Sequence, residues 1–158
     1  MSTRIGMGYD SHRFTDGDSI MLGGEEIPFE KGLAAHSDGD ALLHALCDAL
    51  LGAAALGDIG KHFPDHDPAY QNIESSELVK KVMLELHNQN FSVGNVDCTV
   101  ILEKPKLSTY VSAIQKNISG LLNIDERNVN IKASTNEGMG FIGRGEGVAA
   151  IVVVMLNE

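Results

Sequence analysis

Apolar and polar residues alternate from Arg4 to Tyr9, with Ile5, Met7 and Tyr9 on one side, and this period of two predicts a strand. Asp10 and His12 follow at the strand end with equal parity, so an extended backbone points both side chains to one face. Ile20-Met21-Leu22 and Glu25-Glu26-Ile27 flank Gly23-Gly24, a pair that reads as a hairpin turn. From Ser37 the period becomes helical. Ser37 is the expected N-cap, with Asp38 and Asp40 in the first turn, and Leu42, Ala45, Leu46, Ala49, Leu50 and Ala53 form the apolar stripe. Asp40, His44 and Asp48 recur every fourth residue and share a separate polar face.

The stretch Gly57 to Pro68 is rich in turn formers and predicts a loop. A second helix is expected over Ser75 to Asn88, with Leu78, Val79, Val82, Met83 and Leu86 as its stripe. A strand follows over Ser92 to Leu102, and a third helix over about Ser108 to Leu122 on Val111, Ile114, Ile118 and Leu121. Val129 to Thr135 predicts another strand. Val148 to Leu156 is apolar without a break, so this last strand needs cover on both faces, from helices or from another subunit. No repeat or linker interrupts the pattern. The order of elements predicts an α+β fold over residues 1–158: a single-domain sandwich of one mixed β-sheet with helices packed on one side.

The composition adds bounds. A chain of 158 residues, 43% of them apolar, suits one domain with a real core. Its longest apolar run falls far short of the ~20 residues that span a bilayer. The first residues lack the apolar core of a signal peptide, and Cys47 and Cys98 make no CxxC pair, so a cytoplasmic protein is expected. A net charge of −10 leaves no basic footprint for nucleic acid and opposes binding to anionic membranes. A small anionic substrate would have to be held by metal ions, a few Lys or Arg, and backbone N–H groups.

Asp10, His12 and, about thirty residues on, His44 are the leading candidates for chemistry. Three such groups can hold a divalent metal and leave a coordination position open, as catalytic sites do. Imidazole and carboxylate suit Zn²⁺, Mn²⁺, Fe²⁺ or Co²⁺ alike. Taken singly, each is a weak signal, since a lone histidine is more often a structural or surface residue. Asp40 and Asp48 are either supports for these ligands or part of a solvated helix face, and Cys47 reads as a small core residue. The run Gly138-Met139-Gly140-Phe141-Ile142-Gly143 follows a strand, but a strand and not a long helix comes next, which excludes a dinucleotide fold. It is either a source of N–H groups for phosphate or a wide hairpin. Glu103 to Ser108 is a solvated connector, or a ligand site where a strand ends and a helix begins. No nucleophile elbow and no phosphate-binding GxxxxGK[ST] loop is present.

Four segments carry a resemblance: Gly8-Tyr9-Asp10-Ser11-His12, Ala35-His36-Ser37-Asp38-Gly39-Asp40, Leu51-Gly52-Ala53-Ala54-Ala55-Leu56-Gly57-Asp58-Ile59-Gly60, and Gly140-Phe141-Ile142-Gly143-Arg144-Gly145-Glu146-Gly147. Together they resemble the 2-C-methyl-D-erythritol 2,4-cyclodiphosphate synthase family of the non-mevalonate isoprenoid pathway. The resemblance implies a homotrimer with active sites between subunits. It implies conversion of 4-diphosphocytidyl-2-C-methyl-D-erythritol 2-phosphate to the cyclic diphosphate with release of CMP. It implies one Zn²⁺, or another divalent transition metal, per subunit on Asp10, His12 and His44, and Mg²⁺ or Mn²⁺ on Glu137 with the substrate diphosphate. Asp10 and His12 then also belong to the substrate site. His36 and Thr135 match positions that stabilise the transition state, and His36 and Ser37 match contacts to the phosphate and erythritol part. Asp58, Ile59 and Gly60 match erythritol and ribose contacts, followed by the loop Phe63, Pro64, Asp65, His66 and Asp67. Leu102, Glu103, Lys104, Pro105, Lys106, Leu107 and Ser108 would cradle cytosine from the other subunit. Ser134, Thr135, Asn136 and Glu137 match phosphate contacts, and Phe141 and Arg144 match further substrate contacts. Ser134 stands where Thr is common, Ile142 replaces a frequent Thr and Gly138 a frequent Lys; none of these removes an expected ligand.

Two other readings remain open to the residues. A metal-stabilised trimeric binding protein would not need Lys106, Thr135 or Arg144. A zinc hydrolase would use metal-bound water and release linear products.

Overall fold

The computed structural model describes residues 2–158. Five strands form the main sheet in the order β4-β1-β7-β5-β6. They are β1 (Thr3–Thr15), β4 (Gly32–Leu33), β5 (Ser92–Ile101), β6 (Val129–Ser134) and β7 (Gly147–Asn157). Only the β5–β6 pair is parallel; β1–β4, β1–β7 and β5–β7 are antiparallel. Between the strands lie α1 (Ala41–Ala53), α3 (Ser75–Asn88), α4 (Val111–Leu122) and two single turns, α2 (Ile59–His62) and α5 (Gly140–Gly143). Helix α1 packs on β1 and β7, α4 on β6, and α3 on α1 and α4. The expected α+β layering, a mixed sheet with helices on one side, is the observed one. A separate ribbon of β2 (Ser19–Leu22) and β3 (Glu25–Pro28) joins across Gly23-Gly24, so the sheets number two, not one. None of the described helices is long and apolar enough to cross a membrane.

Two local expectations are corrected, and the facing of β1, which its periodicity left open, is settled. First, β1 does not end at Tyr9. It stays paired to β7 as far as Arg13, with Asp10 opposite Ala150 and His12 opposite Val148, so the Asp-His pair lies within the strand. Second, the apolar side of β1 is its outer side. Ile5, Met7 and Tyr9 are 73%, 62% and 50% exposed, and the helix-facing positions are Gly6, Gly8, Asp10 and His12. The reason is close approach. A Cβ on Gly6 would lie 2.0 Å from the Ala49 carbonyl oxygen of α1, and one on Gly8 would lie 1.9 Å from that of Ala45. Two missing side chains on β1 and the small Ala45, Ala49 and Ala53 of α1 let the helix rest almost on the strand backbone.

Third, α1 is capped by Asp40 rather than Ser37. Gly39 takes φ +72°, a left-handed conformation that cannot continue a helix, so Ser37 and Asp38 stay in the preceding loop. Asp40 is fully buried and accepts backbone N–H bonds from Leu43 at 2.9 Å, Gly23 at 2.9 Å and Gly24 at 2.8 Å. One carboxylate therefore caps the helix and pins the hairpin turn to it. It is not part of a solvated face.

The continuous apolar run of β7 is only half accounted for within the chain. Val148, Ala150, Val152, Val154 and Leu156 are buried under the helices. On the other face Val153 is 40% exposed and pairs with Met7, beside Tyr9–Ile151 and Ile5–Met155. These six side chains form a contiguous apolar patch on the open side of the sheet.

Candidate active site

The parity of β1 and the first turn of α1 bring three ligand-type atoms together. Asp10 Oδ2 lies 2.9 Å from His12 Nε2 and 3.2 Å from His44 Nδ1, and the two ring nitrogens are 3.2 Å apart. The close packing of α1 on Gly6 and Gly8 makes this convergence possible. A tetrahedral ion with bonds of about 2.0–2.1 Å holds its ligand atoms roughly 3.3 Å apart. The triangle therefore has the dimensions of one face of such a coordination shell, and its donors are hard or borderline, with no sulfur among them. Asp10, His12 and His44 accordingly fit a divalent transition metal.

The electrostatics agree. Burial opposes charge on Asp10, but contacts with His12 and His44 outweigh it and hold the carboxyl down to about 2. Burial favours a neutral His44 ring, yet Asp10, with Asp40 and Asp38 behind it, raises its pKa above the ordinary value. An ionised carboxylate and a ring drawn toward positive charge mark a place where a cation is welcome.

These groups open into a cavity of about 490 Å³. Of the expected residues, Asp10, His12, His36, Ser37, His44, Ile59, Gly60, Phe63, Asp65, His66 and Asp67 line it. The α2 rim is placed by Asp48, whose carboxylate accepts the Ile59 N–H at 2.7 Å, so Asp48 supports the site and does not face solvent freely. Burial pushes the Asp48 carboxyl up. Asp58 caps α2 through the Lys61 N–H at 2.9 Å, and Phe63 stands edge-on to Tyr70 at 5.2 Å. Asp58 and Pro64 belong to this segment but do not line the cavity.

The other expected contacts form a second group, at the C-terminal ends of the parallel strands β5 and β6. Glu103 accepts the N–H groups of Asn136 at 2.9 Å and Gly138 at 3.2 Å, and Leu102 N–H donates to the Ser134 carbonyl at 3.0 Å. This joins Leu102–Ser108 to Ser134–Glu137, with Lys104, Lys106, Ser108, Ser134, Thr135 and Glu137 exposed. Glu137 itself takes φ +54°. Leu102 and Leu107 are buried in the core, so only their backbones are free to meet a ligand. Phe141 is exposed on α5, while Arg144 pairs with Glu146 at 2.9 Å in a separate recess with Arg13 and Lys31. None of this second group lines the cavity at Asp10, His12 and His44 of the same chain. Strand β7 lies between β1 and β5, which separates the two groups by about 10 Å of sheet.

Some cavity residues had no sequence signal. Tyr70, Gln71 and Ile73 line it, and Ser75 reaches His44 from the start of α3. An Asp-His-His set in a cavity on an α+β scaffold fits the class of metal-dependent enzymes that act on small molecules.

Comparison with known proteins narrows that class. The chain belongs to the YgbB family, whose model matches residues 3–157. A relative from Methylococcus capsulatus, 55% identical over 153 residues and aligned over 97% of each chain, is named 2-C-methyl-D-erythritol 2,4-cyclodiphosphate synthase. One from Bacillus cytotoxicus, 49% identical with 98% of each chain aligned, carries the same name. Among solved structures, the bifunctional IspDF of Campylobacter jejuni superposes with a TM-score of 0.94 at 43% identity; the alignment takes in 98% of this chain but 42% of that longer one. IspF of Plasmodium falciparum in a CDP complex superposes with a TM-score of 0.86 at 35% identity, over 98% and 96% of the two chains.

Proposed function

We propose that this chain converts 4-diphosphocytidyl-2-C-methyl-D-erythritol 2-phosphate to 2-C-methyl-D-erythritol 2,4-cyclodiphosphate and CMP. The observation that carries this reading is the Asp10-His12-His44 triangle opening into a cavity, in a chain whose relatives bear the name of that synthase. The substrate's 2-phosphate oxygen forms a new bond to the β-phosphorus. The bond from that phosphorus to the bridging oxygen breaks, and CMP leaves with the electron pair. The nucleophile is anionic at neutral pH, so no protein nucleophile is needed. The protein's task is to fold the substrate back on itself and offset repulsion between phosphates.

Asp10, His12 and His44 would hold one Zn²⁺ or similar ion, which when bound supplies Lewis-acid polarisation of a phosphate oxygen. Glu137, exposed at its loop, would hold Mg²⁺ or Mn²⁺ with the diphosphate. His36 and Ser37 line the same cavity and would orient the phosphate and erythritol part, with Ile59, Gly60 and the Phe63–Asp67 loop beside them. Thr135 and its neighbours Ser134 and Asn136 would donate to the phosphates, and Lys104 and Lys106 would meet the cytidine end.

Two observations support a homotrimer with shared sites. The outer face of β1 and β7 is apolar and open, and the phosphate and cytidine group lies away from the metal cavity of its own chain. A neighbouring subunit would cover the first and bring the second to the cavity. The deciding variant is His44→Ala. It is expected to lose bound metal and nearly all CMP release while keeping its assembly; full activity in the metal-free variant would overturn the reading.

A further inference from the structure

The metal triangle uses Nδ1 of His44, and something must hold the ring that way round. The opposite nitrogen, Nε2, lies 2.8 Å from Ser75 Oγ and 3.2 Å from Ser37 Oγ. Ser75 is the first residue of α3 and is fully buried. Its hydroxyl also contacts Asp38 Oδ1, and its backbone N–H donates to Asp38 Oδ2 at 3.0 Å. Asp38 Oδ1 accepts the Asp40 N–H as well, at 3.1 Å.

A carboxylate only accepts, so the Ser75 hydroxyl must donate to Asp38. That leaves Ser75 Oγ with lone pairs alone to offer His44, so Nε2 must carry the hydrogen and donate it. In the neutral ring that a metal needs, Nδ1 is then the nitrogen with the free lone pair, and it is the one that faces Asp10 and His12. Ser37 Oγ is a second, longer acceptor for the same N–H.

We propose that Ser75, held by Asp38, is the positioning residue that fixes the tautomer and tilt of His44 as a metal ligand. The inference rests on the metal reading above. Outer partners of this kind hold the ligand nitrogen on its metal and make it more basic, and losing one typically costs about 10–100-fold in metal affinity. The arrangement also couples the loop before α1 to the start of α3. Both helices therefore contribute to one ligand, although Ser75 touches neither the metal position nor a reacting atom.

The test is zinc affinity by competition with a chromophoric chelator, on the full-length protein with Ser75→Ala, Ser75→Thr and Asp38→Asn. Ser75→Ala is expected to bind zinc about 10–100-fold more weakly. Ser75→Thr, which keeps the hydroxyl, is expected to stay near the native value. Asp38→Asn is expected to fall between them, because an amide no longer forces the hydroxyl to donate away from His44. The thermal midpoint of each metal-free variant is read alongside, and Ser75→Thr serves as the folded reference should Ser75→Ala prove unstable. Equal zinc affinity in Ser75→Ala and native protein would overturn the proposal, as would a Ser75→Thr as weak as Ser75→Ala. Failure of the native protein to bind zinc would instead refute the metal reading itself.

Discussion

A single methyl group on Gly8 tests whether packing builds the active site. The Cβ of Gly8→Ala would lie 1.9 Å from the Ala45 carbonyl oxygen and 2.8 Å from the Ala49 nitrogen, and both neighbours are backbone that cannot rotate away. Ordinary contact begins near 3.4 Å, so α1 must lift from β1 by about 1.5 Å. His44 precedes Ala45 and would move with it, while Asp10 and His12 stay on the strand. The ligand atoms now stand 2.9–3.2 Å apart, whereas metal bonds tolerate errors of about 0.2 Å. The expected result is a loss of zinc affinity of at least roughly 100-fold. A stability loss of about 2 kcal/mol should accompany it, lowering the thermal midpoint by about 4–8 °C. Gly52→Ala is the control. It lies on the same helix with nothing within 4 Å of its Cβ, and alanine there should be neutral or stabilising. Chelator competition and thermal unfolding on both variants decide the matter. A Gly8→Ala protein with native zinc affinity and the midpoint of Gly52→Ala would refute the link between the glycine seat and the metal triangle.

The pH dependence should separate metal-free from loaded protein. Because the His44 pKa is raised, its pairing stabilises the metal-free fold below the unfolded value of 6.5 and is lost as pH rises through the folded value. Metal must displace that proton, so zinc affinity should climb with pH through the same window; a flat affinity between about pH 5 and 8 would contradict this. Asp10, depressed to about 2, contributes roughly 2 kcal/mol above pH 3.8 that fades as pH falls toward 2, which denaturant titration of the metal-free protein in acid should reveal. Asp40→Ala strands three backbone N–H donors of Leu43, Gly23 and Gly24, and should cost about 3 kcal/mol in a denaturant midpoint; a loss under about 1 kcal/mol would show that the cap does not tie the hairpin to α1. Val153→Glu sets a charge in the open apolar face of the sheet and should yield smaller particles in sedimentation with little change in the secondary structure of the chain; an unaltered oligomer would remove that face from the interface.

How far the sequence could be read depended on which signals were local. Helix α3 spans the expected Ser75–Asn88 because a five-residue stripe and the absence of breakers fix its ends without outside help. The candidate ligand set was legible because strand parity alone puts Asp10 and His12 on one face, and helical phase puts His44 on a face apart from the apolar stripe. The orientation of β1 was not. Glycine carries no hydrophobic mark, so the period of Ile5, Met7 and Tyr9 predicts a strand without saying which side faces the helices, and only the contact of Gly6 and Gly8 with α1 decides it. The cap of α1 was displaced for a similar reason: Ser37, Asp38 and Asp40 are all plausible caps by type, and the left-handed Gly39 decides among them. Ser75 is the extreme case. Its role depends on Asp38 and His44, both far away in the chain, and no periodicity connects them.

The central claim is that this chain closes a ring between two phosphates of one substrate. The most direct measurement is ³¹P NMR of the products formed by the zinc- and Mg²⁺-loaded protein from 4-diphosphocytidyl-2-C-methyl-D-erythritol 2-phosphate. The account predicts a cyclic diphosphate and CMP in equal amounts, with no inorganic phosphate. Linear phosphates from attack by water, or untouched substrate bound to loaded protein, would contradict it.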